Sequence, residues 1–121
     1  MNTYKLTESE EKFADLIWMK EPIGSGELVK ICEKEMNWKK STTYTVLKKL
    51  CDKGIFKNEN ALVSSLIKKD EYYSKQSIRF VEDTFEGSLP KFITAFIRDK
   101  KLSNKQAEEL KRLIDEHKEA D

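Results

Sequence analysis

The residues with the most chemistry to offer lie in WKKSTTYTVLKKL, Trp38 to Leu50, with Lys53 just beyond. Lys39, Lys40, Lys48, Lys49 and Lys53 stand there against one acid, Asp52. A solvated helix face ordinarily mixes both signs of charge, so this imbalance points to a polyanion. Ammonium groups so placed hold phosphate oxygens, an attraction that depends on salt and is indifferent to base sequence. Ser41, Thr42, Tyr44 and Thr45 add hydroxyls and a ring, groups that reach base edges when the N-terminal part of a helix enters a major groove. The plainer alternative makes Thr42 and Thr43 partners of the backbone and Tyr44 a packing residue. The whole chain has a net charge of only +1, and residues 30 to 57, with eight Lys against Glu33, Glu35 and Asp52, hold +5. The positive charge is placed rather than spread, whereas residues 100 to 121 balance six Lys or Arg with six acids.

Catalytic chemistry has no comparable cluster. The chain contains no Gly-rich phosphate loop and no HExxH or CxxC pattern, and its carboxylates are scattered among lysines. His117, the only His, reads as a solvated helix residue. Cys32 and Cys51 are too few for a disulfide framework and read as small buried hydrophobes. We therefore expect no enzyme, no metal and no cofactor. No apolar run approaches bilayer length and no apolar signal core follows Met1. The expectation is a cytoplasmic protein that does not bind membrane directly.

Presenting that basic stretch requires a scaffold. At 121 residues the chain fits one small domain with a helical extension. Thr7 and Glu10 form a capping-box pattern that opens a helix running to Lys20, before Pro22. Phe13, Ala14, Leu16, Ile17, Trp18 and Met19 are apolar on more than one face of it, which predicts packing from two sides. Ser25 is the expected cap of a second helix carrying Leu28, Ile31, Cys32 and Met36. A tight turn, Asn37 to Lys40, leads to the third helix over 41 to 53. Ser41 or Lys40 stands near its cap, Val46, Leu47 and Leu50 share one face, and Gly54 sits at the left-handed end. Ile55 to Lys57 and Ala61 to Leu66, around Asn58, Glu59 and Asn60, read as a small hairpin. Helix, helix, turn, helix, hairpin is the order of a winged helix-turn-helix domain, expected over 1–68.

Residues 69–121 predict a helical region. Tyr73, Ile78, Val81 and Phe85 lie near one face of a helix interrupted by Gly87. Ser88 then caps a helix with Leu89, Phe92, Ile93, Phe96 and Ile97 in an apolar stripe. Ser103 and Gln106 open the last one, with Leu110, Leu113 and Ile114 on one side. Each stripe is too wide for a short helix to cover alone. A two-fold partner copy supplies the missing layer, so these residues predict dimerisation through an intertwined bundle, the plainer alternative being that the helices fold back on the first domain as ordinary core. The fold class expected is mostly α with a small β-hairpin wing.

LTESE, the LIW of Leu16 to Trp18, the W..STTYTVLKKL block, the KGI of Lys53 to Ile55 and the tail from EGSLPKFITAFI through LSNKQAEELKRLI resemble the penicillinase and methicillin-resistance repressor family. The resemblance spans nearly the whole chain. It implies a homodimeric repressor that binds a palindromic double-stranded operator ahead of β-lactam-resistance genes. It also implies release by proteolysis under a membrane sensor-protease, with the cut falling at Ala95 and Phe96 of KFITAFIRD. Tyr44 occupies a position that is Arg in some relatives, where an aromatic presses on a thymine methyl rather than bonding a guanine. NENALVSSL lacks the basic residue and aromatics common in family wings, so weak phosphate contact is expected there. The tail has no paired Cys-x-Cys motif, which argues against copper control. The competing functions are a winged helix that docks proteins, which the lysine-rich third helix disfavours, and a repressor released by a direct small ligand.

Overall fold

The computed structural model describes residues 5 to 120. The first four residues of the expected N-terminal domain and Asp121 at the end of the expected dimerisation region lie outside the described residues. The first of its two compact units ends at Ser77 and the second begins at Ile78.

Helix α1 (Glu8–Lys20) starts at the predicted capping box. The Thr7 hydroxyl accepts the Glu10 amide at 3.2 Å and the Glu10 carboxylate accepts the Thr7 amide at 2.9 Å. A short strand, β1 (Ile23–Gly24), precedes α2 (Ser25–Met36), and α3 (Lys40–Asp52) follows after Asn37, Trp38 and Lys39. Two cap expectations shift here. Gly24, not Ser25, caps α2, which leaves Ser25 as the first helical residue with its hydroxyl free for another partner. Lys39 caps α3 without a side-chain bond, so Lys40 and Ser41 are helical. Asn37 takes the left-handed conformation that ends α2, and the Trp38 ring lies 5.4 Å from that of Phe13.

Strands β2 (Phe56–Glu59) and β3 (Leu62–Ser65) form the wing, with Glu59 paired to Leu62 across a two-residue turn. Asn60 and Ala61 both have positive φ, the conformation that matches a hairpin's twist. Asn58 and Glu59, expected in the turn, therefore belong to the strand. β1 adds to the other edge of β3, giving a three-stranded antiparallel sheet in the order β1-β3-β2. The arrangement is a winged helix-turn-helix.

The core of this unit gathers Phe13, Ala14 and Ile17 of α1 with Leu28, Cys32, Leu47 and Leu50 and with Phe56 and Val63 of the wing. Trp18 donates its indole N–H to the Ile67 carbonyl at 3.0 Å, and its ring packs at a tilt, with centroids 5.3 Å apart, against Phe56 and Tyr72. Tyr72, on the first turn of α4 (Lys69–Phe85), is 1% exposed, whereas Tyr73 is 37% exposed. The inward residue of that turn is thus one position earlier than the stripe from Tyr73 predicts, because the Trp18 ring takes Tyr72. Met19 is 77% exposed, so α1 is not apolar-packed on every side that its composition suggests. Burial pushes the Cys32 and Cys51 thiols up, in keeping with their reading as small hydrophobes.

In the second unit, α4 ends at a turn where Glu86 and Gly87 both have positive φ. Ser88 accepts the Lys91 amide at 3.2 Å to cap α5 (Leu89–Asp99), and Ser103 forms the predicted capping box with Gln106 to open α6 (Asn104–His117). Phe80, Phe85, Phe92 and Phe96 run as a chain of ring contacts 5.4 to 6.3 Å apart. Neither α5 nor α6 has a buried residue.

Removing the Phe13 ring from the fully enclosed α1 core is expected to cost about 3 to 5 kcal/mol. Met19→Ala should fall within about 0.5 kcal/mol of the parent. Urea unfolding of the two variants measures the contrast, and equal losses would mean that the core is not organised around Phe13.

Candidate nucleic-acid interface

Thr43, Leu47 and Leu50 are the buried residues of α3. They stand four and seven positions apart, the spacing of one helix stripe. Val46, expected on this face, is only half-buried, because Thr43 takes the inward position one turn before Leu47. Its hydroxyl donates to the Lys39 carbonyl at 3.4 Å, which removes a buried polar group from need. Val46 still packs partly against the core, so the stripe includes the predicted residues and widens to take in Thr43.

The outward face carries Lys39, Lys40, Ser41, Thr42, Thr45 and Lys48, all exposed. Among the described residues the side chains of Lys39, Lys40, Ser41, Thr42 and Thr45 make no bond or ion pair with the protein. Lys48 pairs with Asp52 at 3.3 Å, both side chains well exposed, a contact that water and salt weaken. Three ammonium groups and three hydroxyls are thus presented on one short helix.

The remaining lysines differ. Lys49 lies 2.7 Å from the buried carboxylate of Glu10, the same group that closes the α1 capping box. Burial alone would raise the Glu10 pKa, but the bonds from Lys49 and the Thr7 amide, with the charges of Lys49 and Lys53, hold it below its ordinary 4.5. Lys53 donates to the Lys5 carbonyl at 2.9 Å. Both thus have a partner within the protein, although the Lys49 side chain remains 53% exposed. Lys57 of β2 sits 3.7 Å from Glu59, an exposed pair like that of Lys48, and these two residues leave the wing with no net charge.

Tyr44 is about one-third exposed, and its hydroxyl donates to the Ser25 hydroxyl at 3.2 Å. Ser25 itself is buried, and its amide donates to the Ala61 carbonyl in the wing turn at 2.8 Å. Sequence reasoning missed both Glu10 and Ser25 as partners of α3. Each was legible only as a helix-start residue, since no local pattern shows what lies across the core.

In the second unit the candidate dimerisation residues share an unfilled apolar face. Leu89, Phe96, Ile97, Leu113 and Ile114 are 41% to 60% exposed, and Phe85, Phe92, Ile93 and Leu110 are half-buried. Phe92, Phe96, Ile97, Leu102, Leu110 and Leu113 line an open apolar cleft of about 340 Å³ between α5 and α6. Ala95 and Phe96 lie within α5, not at an end of it, and both are exposed. Among the described residues no helix is long and apolar enough to cross a membrane.

A family model described as penicillinase repressor matches residues 6–116. The chain is similar to the methicillin resistance regulatory protein MecI of Staphylococcus aureus strain Mu50, at 24% identity over 93% of this chain and 94% of that protein. It is also similar to the penicillinase repressor of Bacillus licheniformis, at 24% identity over 94% of this chain and 92% of that protein. The penicillinase repressor of Staphylococcus aureus is 26% identical over 93% of this chain and 92% of its own length.

The Glu10–Lys49 pair has a pH signature. A carboxylate whose folded pKa is lowered contributes stability that is fully present above its unfolded value and is lost as pH falls through the folded one. Glu10→Gln is expected to cost about 1 to 3 kcal/mol at neutral pH, the worth of a charge-assisted bond. The difference from the parent should shrink as pH falls below 4.5 and vanish under the lowered folded value. Urea unfolding of both proteins across that range checks it, and a pH-independent difference would refute the pairing as its cause.

Proposed function

The chain belongs to the penicillinase repressor family, transcription regulators and not enzymes, and from that premise we propose that it is a homodimeric repressor of β-lactam-resistance genes that grips a palindromic operator through α3. The observation that carries this reading is the division of α3, with Thr43, Leu47 and Leu50 in the core and an exposed cationic and hydroxyl face outside, on which only Lys48 has an ion-pair partner among the described residues. Lys39, Lys40 and Lys48 hold phosphates. Ser41, Thr42, Tyr44 and Thr45, on the N-terminal half of the helix, meet base edges. Lys49 and Lys53 orient the helix through Glu10 and the Lys5 carbonyl and add to the field. With one Lys and one Glu, the wing carries no net charge and adds little to the grip.

Dimerisation in this reading uses the apolar face of α5 and α6. A chain that leaves five large apolar side chains 41% to 60% exposed on two adjacent helices has a surface of the kind that a second copy covers. Two copies place two α3 helices on half-sites about 34 to 36 Å apart, and the palindrome follows from the two-fold axis. The repressor works in the cytoplasm, and a protease answering a membrane sensor of the antibiotic ends repression by cutting α5 between Ala95 and Phe96. The cut divides the stripe of Phe92, Ile93, Phe96 and Ile97, and each lost apolar contact weakens the dimer by about 1.5 to 3 kcal/mol.

Selection of bound sequences from random duplex DNA should enrich a two-fold symmetric motif, and enrichment of nothing, or of an asymmetric single site, would overturn the reading. On the enriched duplex, Lys48→Ala should lower the salt slope of affinity by about 1 while weakening all sequences alike. A specific protease site introduced at Ala95–Phe96 tests the switch. Cleavage should convert dimer to monomer in sedimentation and release the operator, whereas a cut protein that stays dimeric and bound would exclude this release route.

A further inference from the structure

Tyr44 differs from the other outward residues of α3 in that its hydroxyl is already taken. The acceptor, Ser25, is 5% exposed, sits on the first turn of α2 and is tied by its own amide to the Ala61 carbonyl of the wing turn. Ala61 holds positive φ next to Asn60, so that carbonyl is fixed by the hairpin's two-residue turn and not by a flexible loop. The relay runs from wing turn to α2 to α3, and it ends on Tyr44, a residue 36% exposed that lines an open cleft with Leu47, Lys48, Cys51 and Asn58.

We infer that Ser25 is a positioning residue for operator reading, holding Tyr44 by its hydroxyl so that the ring, and not the oxygen, meets the base. The inference rests on the proposed entry of α3 into the major groove and deepens it. A tyrosine whose hydroxyl proton is already donated inside the protein has no donor left for a base edge, and the major-groove partner suited to the ring it exposes is the C5-methyl of thymine. A freely rotating ring would lose side-chain entropy on binding and spread its contact over several steps. The Ser25 hydrogen bond removes that freedom beforehand, so discrimination falls on one thymine per half-site.

Replacing thymine by uracil deletes that methyl and nothing else. On the full-length protein with its selected operator, uracil at one thymine of each half-site should weaken binding about fourfold per methyl, the worth of one buried carbon group. Tyr44→Phe and Ser25→Ala should each shrink that penalty toward none while leaving the salt slope unchanged. The double variant should be no worse than either single one, since both changes remove the same bond. A general loss of folding or of phosphate contact would weaken thymine and uracil duplexes alike and so cannot produce this pattern. The inference is overturned if Ser25→Ala keeps the full methyl penalty or if uracil is harmless at every thymine of the operator. It is likewise overturned if Tyr44→Phe alters preference at a purine while Ser25→Ala is silent, because the hydroxyl would then be reading the base itself. Failure of the functional reading looks different: the parent protein would select no symmetric motif at all.

Discussion

The burial of Thr43, Leu47 and Leu50 against the α1 and α2 core is the constraint on which the rest of the N-terminal unit depends. It fixes the rotation of α3 about its own axis, and a helix rotated by one residue, about 100°, would point a different set of side chains outward. The Glu10 carboxylate adds a polar stop to that apolar seat. It closes the start of α1 and holds Lys49 of α3 at 2.7 Å, so that the same atoms that define where one helix begins also fix where another lies. Because one side of the pair is buried, the attraction is screened less than the exposed Lys48–Asp52 contact on the outer face. The two ion pairs on neighbouring lysines therefore differ, one anchored on a buried carboxylate and one open to water on both sides.

Much of this architecture was legible in the sequence where the signal is local. The Thr7–Glu10 and Ser103–Gln106 capping boxes, the Ser88 cap and the helix stop before Pro22 each depend on residues within a turn of one another, and each forms as the spacing predicts. What was not legible depends on contacts between distant residues. Tyr72 rather than Tyr73 turns inward because Trp18 waits across the core, and Trp18 is oriented by the Ile67 carbonyl 49 positions away. The two-residue strand β1 is too short to leave a pattern and exists only because β3 offers it an edge. Ser25 looked like a cap by type; Gly24 took that role and the Ser25 hydroxyl became available to Tyr44.

For the candidate interface the same division holds. Composition placed the positive charge on the third helix, but it did not separate lysines that face solvent from those that serve the fold. Lys39 and Lys40 precede or open α3, where no side chain among the described residues pairs with them, while Lys49 lies on its last turn beside α1 and Lys53, just past its end, beside the Lys5 carbonyl. A count of five Lys against one Asp thus overstates the charge free to bind.

That smaller free charge bears on how the proposed repressor would be regulated. If Lys39, Lys40 and Lys48 are the phosphate partners of one subunit, and the Lys57–Glu59 pair keeps the wing neutral, the non-specific attraction available to a single copy is modest at physiological salt. Occupancy of the operator would then depend on two subunits acting at once, since the second half-site is reached at the high effective concentration set by the first. A protein built this way need not have its recognition helix altered to be released. Weakening the apolar face of α5 and α6 would suffice, and the exposure of Phe96, Ile97, Leu113 and Ile114 shows how much of that face an isolated chain leaves in water. Stronger phosphate contacts would let a monomer linger on DNA after the dimer is lost, so a wing without net charge and lysines already paired within the protein would favour a clean response over tight binding.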